Sequence, residues 1–86
     1  MSKNSYKKPT KRGTHIVLVL NDNVNTFQHV RKCLQEVCGH NYLQSIQCTN
    51  IIHRSGRCDV YTDVYDQCIE VYKELSEKGL SVSIVK

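Results

Sequence analysis

Asn21, Asp22, Asn23 and Asn25 place four polar side chains within five residues, directly after the apolar segment His15–Leu20. One carboxylate among neighbouring amide oxygens is a cluster of hydrogen-bond acceptors carrying a single negative charge. Farther along, His53 offers a ring nitrogen that accepts when the imidazole is neutral. Polar groups at the end of a buried strand can turn the chain and cap the next helix, or they can hold a ligand where a sheet meets a crevice. The residues alone leave both readings open. Asn21 and Asp22 suit an Asx-type turn, and a histidine at a helix C-terminus suits the helix dipole.

Other reactive side chains form weaker patterns. Cys38, His40, Cys48, His53 and Cys58 are zinc-competent types, but they contain no Cys-x-x-Cys pair and their gaps are long. No metal or cofactor is therefore expected. No cysteine is set beside a histidine in a way that suggests an activated nucleophile, so catalytic residues are not expected either. The ten-residue spacing of Cys38, Cys48, Cys58 and Cys68 falls on different kinds of element and reads as coincidence.

These groups need elements to hold them. The β-branched run His15–Leu20 predicts a largely buried strand. Asn25 with Gln28 forms a capping-box pattern, and Phe27, Val30, Leu34, Val37 and Cys38 then mark one face of a helix over 26–38. Gly39 is placed to end it. Asn41 with Gln44 starts a second helix running to about His53, and Gly56 stops it. Arg57–Thr62 reads as a short strand. Asp63 is expected to cap a third helix with Val64, Cys68, Val71, Tyr72 and Leu75 on its inner face, closed by Gly79. Leu80, Val82 and Ile84 alternate with Ser81 and Ser83, as in a half-buried strand. The expected fold is a small α+β domain of β-α-α-β-α-β order, a three-stranded sheet with helices packed on one face.

Size and charge bound the rest. An 86-residue chain is one domain near the lower limit for a core without staples. No apolar run approaches the roughly 20 residues that span a bilayer, and no signal-peptide pattern opens the chain. Five cysteines, an odd number, suit reduced thiols in a cytoplasmic protein better than a disulfide framework. Lys3, Lys7, Lys8, Lys11 and Arg12 concentrate five of the twelve basic residues in residues 1–13, which reads as a flexible basic arm before a domain at 14–86. From Gly13 onward seven basic residues face eight acidic ones, so the folded part is not a basic surface. A small nucleic-acid-binding domain using the arm is the alternative reading, and the near-neutral body speaks against it.

The order of features resembles the ClpS adaptor family. Leu20-Asn21-Asp22, then Val30 and Leu34, then Ile52-His53 with Gly56 carry the likeness, over about Ile16 to Val85. The resemblance implies a non-enzymatic adaptor. Such proteins bind substrates with a bulky apolar N-terminal residue (Leu, Phe, Tyr or Trp), an N-degron. They deliver them to a ClpA- or ClpC-type AAA+ unfoldase feeding the ClpP protease. It implies that Asn21, Asp22 and His53 hold the substrate α-amino group, and that Asn23, Asn25, Phe27, Val30, Thr49, Ile52 and Val82 line or border the side-chain pocket. The implied partners are N-terminal peptide segments and the N-domain of the unfoldase. No nucleic acid or membrane is implied, and the chain is expected to be a monomer.

The residue types suit that task. An α-amino group is mostly cationic at neutral pH, with three N–H donors, so its site needs acceptors and one carboxylate. Four departures from the family pattern stand out. Asn23 occupies a position where many relatives carry a second Asp. Asn25-Thr26-Phe27 replaces Thr-Pro-Met, so a wide, rigid Phe stands at the gate to the pocket and a narrower or reshaped range of first residues is expected. The Gly56 turn is shorter by about two residues than in many relatives. The third helix lacks an evident match to the unfoldase-contact Lys, with Ile69 or Lys73 nearby.

Overall fold

The computed structural model describes residues 15–86. The arm expected at 1–13 lies outside the described residues. The elements are β1 (His15–Leu20), α1 (Phe27–Cys38), α2 (Tyr42–Ser55), β2 (Arg57–Asp63), α3 (Tyr65–Glu77) and β3 (Ser81–Val85), the order read from the sequence. No helix among them is long and apolar enough to cross a membrane.

The three strands form one antiparallel sheet in the order β2-β1-β3. The most apolar strand takes the centre, where both of its edges are paired. Leu20, the last residue of β1, lies opposite Ser81 on one side and Arg57 on the other. Val17 pairs with Tyr61 but Leu18 pairs with Asp59, so Val60 is an extra residue that kinks β2.

Val17 and Val19 point into the core. They meet Val30, Cys33, Leu34, Val37 and Cys38 of α1, Ile52 of α2, and Cys68, Val71 and Leu75 of α3. All three helices thus seal one sheet face. Each buried aliphatic side chain contributes on the order of 1.5–3 kcal/mol of transfer free energy. Three small thiols, Cys33, Cys38 and Cys68, serve as core residues within that cluster. His40 closes one end, its Nε2–H donating to the Val60 carbonyl at 2.9 Å.

Two helix starts differ from the expectation. Asn25 is not the cap of α1. Thr26 is, with φ −77° and ψ 161°, and its hydroxyl accepts from the His29 N–H at 3.1 Å. Gln28 accordingly makes no capping box and accepts from Arg31 Nε instead. Likewise Asp63 does not cap α3, whose N-cap is Val64 without a side-chain bond. The Asp63 side chain is buried. It accepts from the Tyr61 hydroxyl at 3.1 Å and from the Val64 N–H at 2.7 Å. At α1 the neighbouring Thr26 takes the cap while Asn25 is held by Asp22 and the distant Gly79 carbonyl; at α3 the Asp63 carboxylate is buried against Tyr61 and the helix starts without a side-chain cap. The stop signals hold as read. Gly39 and Gly56 follow α1 and α2 in the left-handed region, with φ 74° and 96°.

Candidate functional site

The end of β1, the start of α1, the end of α2 and the start of β3 converge around Asn21–Asn25. The Asn21 N–H donates to the Gly56 carbonyl at 2.8 Å, which docks the α2–β2 turn against the end of β1. Gly56 follows the last turn of α2, the turn that carries His53. The Asn21 amide and the His53 ring nitrogens make no hydrogen bond to another described residue, and both side chains are exposed. They are open acceptors.

Asp22 is in a different condition. Its Oδ1 accepts from the Val24 and Asn25 N–H groups at 3.0 and 2.9 Å. Its Oδ2 accepts from Asn25 Nδ2 at 2.8 Å and from the Ser81 hydroxyl at 3.0 Å. Four donors converge on one carboxylate, close to all it can accept. The Asn25 backbone bond, then the Val24 bond, hold the carboxyl well below its ordinary 3.8, at about 2, against the opposing effect of burial. Asp22 is therefore a fixed negative charge. Its Asx turn is real, so the turn reading and the charge reading describe the same side chain.

Asn25 explains why it left the helix cap. Its Nδ2 also donates to the Gly79 carbonyl at 2.9 Å, and so links the loop to the turn between α3 and β3. Phe27, the first residue of α1, stacks on His53 with ring centroids 5.6 Å apart and 5° between planes. That contact joins the start of α1 to the end of α2 and fixes one face of the imidazole.

The expected pocket residues divide. Phe27 is half-buried at the surface beside His53. Val30, Ile52 and Thr49 are 6 %, 3 % and 0 % exposed, which puts them in or at the core. Thr49 spends its hydroxyl on the Ser45 carbonyl at 2.7 Å. Val82 is partly buried against the core from β3, opposite Val19. Asn23 is exposed at the outer side of the loop. A cavity of about 260 Å³ is lined by Cys38, His40, Gln44, Cys48 and residues 59–62, none of them a candidate site residue. Among the described residues no three His, Cys, Asp or Glu side chains come together as a metal-binding group.

A family model described as "ATP-dependent Clp protease adaptor protein ClpS" matches residues 10–83. The chain belongs to the ClpS family. Among curated proteins it is similar to the ATP-dependent Clp protease adapter protein ClpS of Synechocystis sp., 34 % identical over 68 residues, covering 78 % of this chain and 69 % of the relative. It is also similar to the proteins of that name from Thermosynechococcus vestitus and Nostoc sp., each 32 % identical over 68 residues and 78 % of this chain. These matches cover 72 % and 70 % of the two relatives.

Sequence reading missed three groups that hold this loop. Ser81 looked like the solvent-facing partner of alternating Leu80 and Val82, yet its hydroxyl holds Asp22. The Gly56 and Gly79 carbonyls anchor the loop, and main-chain acceptors leave no trace in residue types. Only the strand order, with β3 paired to β1, brings Ser81 beside Asp22.

Proposed function

We infer that this ClpS member is a non-enzymatic substrate adaptor that binds the free N-terminus of proteins beginning with a bulky hydrophobic residue. It passes them, in the cytoplasm, to the N-domain of a ClpA- or ClpC-type AAA+ unfoldase for degradation. The observation that carries this reading is the division of labour at the loop: Asp22 is a committed charge, while Asn21 and His53 are open acceptors. An ammonium group placed between them finds attraction from Asp22 and direct acceptors in the Asn21 amide oxygen and a neutral His53 nitrogen.

Magnitudes make both halves necessary. Burying one aromatic side chain contributes about 1.5–3 kcal/mol. Hydrogen bonds to a charged group add about 1.5–3 kcal/mol each. The side chain alone gives binding weaker than millimolar, and two such bonds alone fall short of micromolar; one side chain and two bonds together total about 4.5–9 kcal/mol, which reaches the micromolar range, roughly −8 kcal/mol, near its upper end. The adaptor would thus read a free amine and a large side chain together.

Asn21→Ala tests the reading with little risk to the fold. The docking bond to Gly56 comes from the backbone and survives the substitution. Affinity for a peptide beginning with Phe should fall about tenfold or more, the cost of roughly 1.4 kcal/mol, with the melting temperature unchanged. Unchanged affinity would remove Asn21 from the amine site.

A further inference from the structure

Arg31 of α1 is held in place by neutral groups. Its Nε–H donates to Gln28 Oε1 at 2.8 Å and its Nη1–H donates to Gln35 Oε1. Its guanidinium carbon lies 5.1 Å from the centroid of the Tyr42 ring, where α1 packs against α2. None of these three partners carries a negative charge. They use two of the five guanidinium N–H donors and leave the rest of a half-exposed fork available. A planar cation with spare donors in a fixed orientation suits a carboxylate. Charge is also segregated among the helices. α1 and α2 carry Arg31, Lys32 and Arg54 against Glu36 alone, and Glu36 is paired with Lys78 at 3.5 Å. α3 carries Asp66, Glu70, Glu74 and Glu77 against Lys73. The helix pair that borders the loop at Asn21–Asn25 is therefore net basic.

We propose that Arg31 is a specificity-determining residue that selects substrates with Asp or Glu as their third residue. The inference rests on the amine-site reading above and narrows its substrate class to a bulky first residue followed two places later by an acid. Phe27 and Arg31 stand four residues apart on one face of α1, one turn and about 6 Å along the helix. Phe27 meets His53 beside the loop, and Arg31 lies one turn farther away from it. A substrate held by its α-amino group at the loop must lead its chain away from there, and α1 leads away from the same point. In an extended peptide the first and third side chains point to the same side, with Cα atoms about 7 Å apart. That step matches one turn of α1. A third-residue carboxylate then accepts from the spare Arg31 donors, while the second side chain points the other way, into solvent.

Four labelled peptides with free amines test this on the full chain. They begin Phe-Ala-Glu, Phe-Ala-Gln, Phe-Ala-Lys and Phe-Glu-Ala and share one neutral tail. Phe-Ala-Glu should bind about threefold to fivefold more tightly than Phe-Ala-Gln, the range of a partly exposed ion pair. Phe-Ala-Lys should bind most weakly, and Phe-Glu-Ala should match Phe-Ala-Gln. Added salt should shrink the glutamate preference. Arg31→Gln should bind Phe-Ala-Glu and Phe-Ala-Gln equally, and Arg31→Glu should prefer Phe-Ala-Lys. Both variants change a half-exposed side chain on a helix surface, and circular dichroism checks that they fold. The proposal is overturned by equal binding of the glutamate and glutamine peptides, by a preference that survives Arg31→Gln, or by the same gain from glutamate at the second residue. An acetylated Phe-Ala-Glu peptide separates the two readings. Loss of binding on acetylation without any glutamate preference overturns this inference alone. Equal binding of the free and acetylated peptides, or no binding by any of them, overturns the amine site and this inference with it.

Discussion

The rings of Phe27 and His53 lie stacked, 5.6 Å apart at their centroids and 5° from parallel. One belongs to the first turn of α1 and the other to the last turns of α2. The imidazole that would accept from a substrate amine is therefore held by the residue that would admit the substrate side chain. Stacked aromatic pairs contribute about 0.5–1.5 kcal/mol beyond their buried area. Phe27→Met replaces a rigid plate with a flexible thioether. It should widen the set of first residues accepted, measured with a peptide panel, and lower stability by about 0.5–1.5 kcal/mol.

Asn25 and Thr26 are neighbours with separate tasks, and single substitutions should separate them. Thr26→Ala removes the α1 cap and should cost about 1 kcal/mol in chemical denaturation, with little effect on peptide affinity. Asn25→Ala removes a donor to Asp22 and the tie to Gly79. It should weaken peptide binding several-fold, read by fluorescence anisotropy, because Asp22 Oδ2 loses one of its two donors and the loop loses its tie to the α3–β3 turn.

The Asp22 carboxyl titrates at about 2 in the folded chain against an ordinary 3.8. A carboxyl lowered by folding stabilises the native state above its unfolded value, and that contribution is lost as the pH falls through the folded one. Wild-type stability should therefore drop between about pH 4 and pH 2 in part through this group. Asp22→Asn should flatten that part of the profile in denaturant titrations at stepwise pH.

Tyr61 donates to the buried Asp63 carboxylate, and burial together with that bond pushes its phenol upward. Tyr61→Phe keeps the ring and deletes one bond to a charged, buried acceptor. A loss of about 1.5–3 kcal/mol is expected, seen as a lower denaturation midpoint without a change in slope.

Much of the fold was legible because local signals agreed. Gly39 and Gly56 end their helices with positive φ, Asn41 caps α2 through the Gln44 N–H, and the His15–Leu20 run supplies the central strand. The failures were competitive. Asn25 and Asp63 both suit a cap by residue type, and each was taken by a partner distant in sequence or buried beside it. The loop at Asn21–Asn25 was legible as a polar corner, but its wiring was not. Ser81 lies fifty-nine residues from Asp22, and nothing in an alternating strand marks one serine as a ligand for a carboxylate. Asp22 shows the limit most clearly, since the turn and the fixed charge arise from one set of bonds.

Binding of one peptide sequence beginning with Phe, with its α-amino group free or acetylated, tests the central claim most directly. Acetylation removes the positive charge and two of three donors while leaving the side chain intact. The free peptide should bind and the acetylated one should lose at least about a hundredfold in affinity, the equivalent of roughly 2.7 kcal/mol. Equal binding of the two peptides would contradict an amine site at Asn21, Asp22 and His53.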